Sequence, residues 1–192
     1  MNVELACRTP RIIRSGHATL LAALLLASQA TAAAHAAAAP PGLESLQEVG
    51  HGRLRWFGAD IYQASLWSAD GRAPGADGER ALALSLAYER RFSRSELIRI
   101  TAGEWQRLAL AGAETRARWA VLLEGLWPDV RPGDTLTAIV LPGAETRFYD
   151  GRGPIGRIAD PAFGPAYLAI WLDPRTAVRE LRGELLGAGA RR

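Results

Sequence analysis

Two tyrosines and an adjacent arginine pair are the side chains of this sequence best suited to gripping a small acidic molecule: Tyr62, Tyr88, Arg90 and Arg91. An arginine fork can hold a carboxylate or phenolate through two parallel hydrogen bonds, and a buried tyrosine hydroxyl needs a partner. The same residues have structural uses, the tyrosines at the edge of a core and the arginines paired with Glu89 or Glu96. Other chemistries lack their parts. Cys7 is the lone cysteine, and after residue 36 only His51 remains of three histidines. A thiolate nucleophile, a Ser/His/Asp triad and a metal site with ligand spacing are therefore unsupported. No phosphate-cradling glycine loop occurs, so no cofactor is expected. All 23 basic residues are arginine, interleaved with 20 acidic ones, which speaks against a nucleic-acid partner.

The elements that must position these residues begin after an export signal. Arg8, Arg11 and Arg14 form a positive region, Ala18 to Ala27 is rich in leucine and alanine, and a small-residue tract follows. The pattern predicts a signal peptide over residues 1–36, a single domain over 37–192, and a periplasmic or secreted protein. The apolar run is too short and alanine-rich for a stable membrane span. Removing the signal takes away three arginines and Glu4, which leaves a formal charge near +1.

Leu54 to Trp67 reads as one long strand or two segments in line, with Gly58 marking a bulge or close backbone approach. Ser68 to Glu79 reads as a loop. Leu82, Leu84, Leu86 and Tyr88 alternate with Ala81, Ala83, Ser85 and Ala87, predicting a strand covered on both faces. Ser93 and Glu96 form a capping box, and Leu97, Ile98, Thr101, Trp105 and Leu108 share one helical face, with Gly112 as terminator. A second helix over Glu114 to Trp127 turns Trp119, Leu122, Leu123 and Leu126 inward and stops at Pro128, so that a helical hairpin packs on a sheet. Leu136 to Leu141 and Glu145 to Tyr149 form a β-meander about Pro142-Gly143, with Asp134 bonding the backbone of its own turn. Asp160-Pro161 starts a helix toward Trp171; Thr176 caps a last one carrying Val178, Leu181 and Leu185, closed by Gly187. Arg175 is expected to fix the turn between them through Asp173. Trp105, Trp119 and Trp171 are expected in the core. Strands and helices are segregated, which makes the fold class α+β.

The strings FGADIYQASLW at Phe57 to Trp67, LSLAYERRFSRSEL at Leu84 to Leu97, WPDVRPGDTLTAIVLPG at Trp127 to Gly143 and FGPAYLAIWLDPRTAVRELRGELLG at Phe163 to Gly187 resemble the chalcone isomerase-like family in its exported bacterial branch. The resemblance implies an open-faced β-sandwich: an antiparallel sheet with a helical layer on one face and a ligand cleft between them. The plant enzymes of that superfamily close a ring with an arginine and hydroxyl residues that stabilise developing charge. The corresponding positions here are Phe57 or Gly58, Ala169, and Glu44 or Ser45, with Arg53 the nearest basic residue. None carries the matching side chain. The resemblance thus implies a non-catalytic protein that binds an apolar small molecule with an acidic head, such as a fatty acid. An intramolecular lyase or isomerase and a ligand-free interaction factor are the alternatives.

Overall fold

Alternation of bulky and small side chains along the leucine-rich strand already requires a sheet packed on both faces, and the computed structural model shows how that is met. It describes residues 42–74 and 80–187; the signal assigned to 1–36 and the tip of the loop at 75–79 lie outside them. Six strands, β1 (Gln47–Trp56), β2 (Ala59–Ser68), β3 (Leu82–Tyr88), β4 (Thr135–Leu141), β5 (Glu145–Asp150) and β6 (Gly153–Ile158), pair in sequence order, every neighbour antiparallel. Four helices, α1 (Arg94–Arg107), α2 (Ala113–Glu124), α3 (Phe163–Leu172) and α4 (Arg179–Leu185), complete the expected α+β architecture.

The long in-line strand expected over Leu54 to Trp67 is instead a hairpin. Trp56 pairs with Ala59, so the loop is Phe57-Gly58, and both residues have positive φ, +48° and +77°. Two consecutive positive φ angles are the mark of a type I′ turn, whose twist matches that of the flanking strands. Gly58 therefore serves the reversal and not a bulge. The sheet also gains β6, which begins just beyond the expected reversal at Asp150-Gly151.

Register sorts the sheet faces. Tyr62, Ala64 and Leu66 pair with Tyr88, Leu86 and Leu84, and these with Leu136, Ala138, Val140 and Phe148 line the helix-covered core. On the opposite face Ala83 and Ile139 are covered by Leu43, while Ser85 accepts a 2.9 Å hydrogen bond from Thr137.

The capping box at α1 forms as expected: Ser93 Oγ accepts from Glu96 N–H, and Glu96 Oε2 accepts from Ser93 N–H at 2.8 Å. The helix ends at Leu108 rather than Gly112, which instead precedes α2; Ala109 and Ala111 between them take positive φ. Leu122 is 42% exposed, whereas Trp119 and Leu123 are buried. The α1–α2 hairpin does not form the sheet-facing layer by itself. Helix α3 lies over β4 and β5, with α1 against it, and seven of its ten residues are buried. The cause is Gly164, where a Cβ would collide with Val140 Cγ1 and sit 2.7 Å from Thr146 Oγ1. Asp160 does not begin α3. It accepts instead from Ala162 N–H at 3.0 Å and from Trp119 Nε1 at 2.8 Å, tying α2 to the entry of α3. Between α3 and α4, Arg175 forks onto Asp173 at 2.8 and 3.0 Å, and Thr176 Oγ1 donates to Ile170 O and accepts from Val178 N–H.

Two outcomes follow from this backbone. Phe57 is 94% exposed, so its ring contributes little packing at a position that favours asparagine before glycine. Phe57→Asn is expected to raise unfolding free energy by up to about 1 kcal/mol in chemical denaturation; a clear loss would show that the exposed ring is a structural contact. Gly103 in α1 has open space around it, unlike Gly164. Gly103→Ala should stabilise by roughly 1 kcal/mol through helix propensity, and Gly164→Ala should lose about 1–3 kcal/mol through overpacking. Equal effects in the same denaturation assay would refute the close approach of α3 to the sheet.

Candidate functional site

Among the described residues a large cleft of about 1640 Å³ opens between the β1–β2–β3 end of the sheet and helices α1, α3 and α4. It exists because the helices cover this end incompletely. Helix α3 presses on β4 and β5, while α4 presses on β1, where the missing side chains of Gly50 and Gly52 leave room for Glu184 and Leu181. Between those two contacts Leu54, Leu86, Phe92, Leu97 and Ile170 form an apolar wall.

Tyr62 and Tyr88 both line this cleft, with ring centroids 6.1 Å apart. Their side chains meet because Tyr62 and Tyr88 are register partners on adjacent strands. Arg90 and Arg91 are not brought to them. Both are exposed past the end of β3, form no ion pair among the described residues, and lie outside the cleft lining. Arg91 borders a separate shallow hollow with Ser93, Glu96, Asp129 and Arg131. The reason is geometric: β3 ends at Tyr88, and the chain turns away before Phe92 pairs with Val130 to close the base of the helical hairpin.

Three further wall residues escaped the sequence reading: Tyr167, Trp127 and Thr101. Thr101 carried only a helix-face assignment, and Trp127 marked only the end of the second helix. Tyr167 was legible in principle, because Phe163, Tyr167 and Trp171 recur every four residues and place three aromatic rings in one column of α3. Tyr167 stands 5.2 Å from Trp171 and 6.2 Å from Trp127, centroid to centroid. Trp171 Nε1 donates to the Tyr62 hydroxyl at 2.9 Å, joining α3 to β2 across the cleft floor. The indoles expected in the core are there: Trp105 donates to Ala166 O at 3.1 Å and Trp119 to Asp160.

The phenols are held in their neutral form. Burial pushes the Tyr62 hydroxyl up to about 12; the hydrogen bond from Trp171 opposes this in part, and the Glu104 carboxylate adds to it. Burial likewise raises Tyr88 well above the usual phenol range, with Tyr167 and Tyr62 contributing. Tyr167 is raised by burial and then by Tyr62. Each is thus a hydrogen-bond donor at neutral pH and a poor base. The charged groups at the cleft belong to its rim. Arg53 and Arg55 on β1 are engaged by Asp60 at 3.5 and 2.8 Å, and Glu104 on α1 by Arg107. Arg53 also lies on the strand face opposite Leu54, which by register belongs to the helix-covered side. Among the described residues no group of three or more His, Cys, Asp or Glu is placed to hold a metal ion, and no helix is long and apolar enough to cross a membrane.

An antiparallel sheet covered on one face by helices, with a phenol-lined apolar cleft between them, defines an open-faced sandwich. The chain belongs to the chalcone isomerase-like family, which it matches over residues 27–187. Among solved structures it is similar in fold to a fatty-acid binding protein of Arabidopsis thaliana, with a TM-score of 0.57 and 12% identity, over 77% of this chain and 89% of that one. No curated protein matches the chain in sequence.

The Tyr62 environment gives a pH signature. Between pH 10 and about 12 the unfolded chain releases this proton while the native protein keeps it, so stability falls as pH rises through that window. Tyr62→Phe should start about 1 kcal/mol lower at pH 7, because Trp171 loses its acceptor, and should decline less steeply between pH 10 and 12. Urea midpoints for both proteins across this range are the check. Parallel declines would mean that Tyr62 ionises normally in the folded state.

Proposed function

We propose that this protein is a non-catalytic carrier or binder of an apolar small molecule, exported by cleavage of residues 1–36 and acting in the periplasm or outside the cell. The observation that carries the binding reading is the cleft itself, a hollow with apolar walls and a few hydroxyl groups, as small-molecule sites generally are. A fatty acyl chain is the ligand type suggested by the Arabidopsis thaliana protein of similar fold. The export reading rests on the basic, apolar and small-residue pattern of the first 36 residues.

Ring-closing catalysis is disfavoured by chemistry as well as by the missing residues. A general base works best with a pKa near the operating pH. The three phenols are shifted in the other direction, and the arginines at the cleft are either engaged by Asp60 or, like Arg179, exposed at its rim. Phe57 and Gly58 form an exposed turn, and Ala169 on α3 offers no hydroxyl.

Titration with a fluorescent long-chain probe tests the reading. Saturable one-to-one binding in the micromolar range or tighter is expected. Ile100→Trp, which adds bulk at a partly exposed position of the cleft wall, should weaken it about tenfold or more. Arg91→Ala should change it less than twofold. Probe binding that ignores Ile100→Trp but collapses in Arg91→Ala would move the site out of the cleft.

A further inference from the structure

Polar accounting at the cleft singles out two hydroxyl groups. The indole nitrogens of Trp105, Trp119 and Trp171 each donate to an oxygen of the protein. The Trp127 Nε1–H does not, but it is sealed away from the hollow on a residue only 4% exposed, so nothing in the cleft reaches it. The hydroxyls of Tyr88 and Tyr167, on residues 5% and 2% exposed, likewise engage no acceptor among the described residues, yet their oxygens are not among the sealed-off atoms. Trp127 packs on Tyr167, and Tyr88 packs on Tyr62, whose own hydroxyl is already used by Trp171.

Buried polar groups in folded proteins are almost always satisfied, so unpaired donors in the wall of an open hollow are reserved for something that enters it. A neutral phenol O–H that donates to nothing in the protein needs an acceptor from what enters. The charge of that acceptor follows from the surroundings. A carboxylate buried among these groups would require a cation, as burying an unpaired charge is strongly unfavourable. The cations that border the cleft sit on exposed residues of its rim: Arg53 and Arg55, engaged by Asp60, and Arg179 at the start of α4. The carboxylates of Glu104, Glu180 and Glu184 also border the cleft and disfavour a second negative charge.

We infer that Tyr88 and Tyr167 form a subsite for an uncharged carbonyl head group carried on an apolar chain, such as an ester, a ketone or an un-ionised carboxylic acid, in preference to a carboxylate. The inference rests on the reading of the cleft as a ligand site and specifies what that site selects.

Competition of C16 ligands against the fluorescent probe at pH 7.5 tests it, with 2-heptadecanone, methyl palmitate, palmitate and hexadecane as competitors. The ketone and ester should bind at least tenfold more tightly than either palmitate or the alkane. Tyr88→Phe and Tyr167→Phe, which keep the rings, should each weaken ketone binding about fivefold and leave hexadecane binding unchanged. The infrared carbonyl stretch of bound ketone should lie below its value in hydrocarbon and move back up in these variants. That readout separates a lost hydrogen bond from a damaged fold. If palmitate outcompetes the ketone, or hexadecane equals it, the subsite is refuted while the cleft remains a binding site. If neither the probe nor any competitor binds, the binding reading itself fails.

Discussion

The close contact of α3 with the sheet is the constraint on which the rest of the structure depends. Gly164 lets the helix backbone approach Val140 and Thr146, and the aromatic column Phe163, Tyr167 and Trp171 then runs along the interface. At its first member the column is fully internal: Phe163 packs against Trp105, Trp119 and Phe148 with centroids 5.4–5.9 Å apart. Edge-to-face contacts of this kind add to the stabilisation from burial alone. The α1–α2 hairpin is therefore anchored chiefly through α3, and the order of assembly in space differs from the order in sequence.

The same column turns from core to cleft within two helical turns. Tyr167 still packs on Phe148 and Phe163, but its hydroxyl end belongs to the hollow; Trp171 spans the gap to Tyr62 on β2. A rigid helix thus carries both the interior and the site wall, which fixes the positions of the polar groups more tightly than a loop could. At the far side α4 docks on a strand stripped of side chains at Gly50 and Gly52. The hollow is what remains between two tight helix-to-sheet contacts spaced too far apart for the intervening leucines to fill.

Much of this could be read from residue patterns, because those patterns act locally. The leucine alternation of β3, the Ser93/Glu96 box and the Asp173–Arg175 fork depend on neighbours a few positions away, and each is found as expected; Thr176 instead accepts from Val178 N–H, and Val178 occupies the N-cap of α4 without a side-chain cap bond. The hairpin at Phe57-Gly58 was hidden because phenylalanine at positive φ contradicts the usual turn chemistry; an asparagine there would have announced it. The division of labour among the helices was hidden for a different reason. Nothing local distinguishes the amphipathic α1, which rests on α3, from a helix resting directly on a sheet. The tyrosine half of the candidate site was legible because Tyr62 and Tyr88 end inward-facing rows of two strands. Its arginine half was not, since the chain's exit angle after Tyr88 is set by the Phe92–Val130 bridge, a contact between residues far apart in sequence.

Those two halves also differ in what they can do chemically. Stabilising a phenolate or oxyanion requires a cation or a set of donors at a place where negative charge develops. Here the cations remain in solvent, and burial together with mutual proximity keeps the phenols protonated. Negative charge entering such a place is opposed both by the loss of hydration and by Glu104, whose influence already reaches Tyr62. What the wall offers is donation by neutral O–H groups. The register that positions Tyr62 and Tyr88 thus sets protonated phenols in the cleft wall, while the arginines of this end of the sheet stay at its rim.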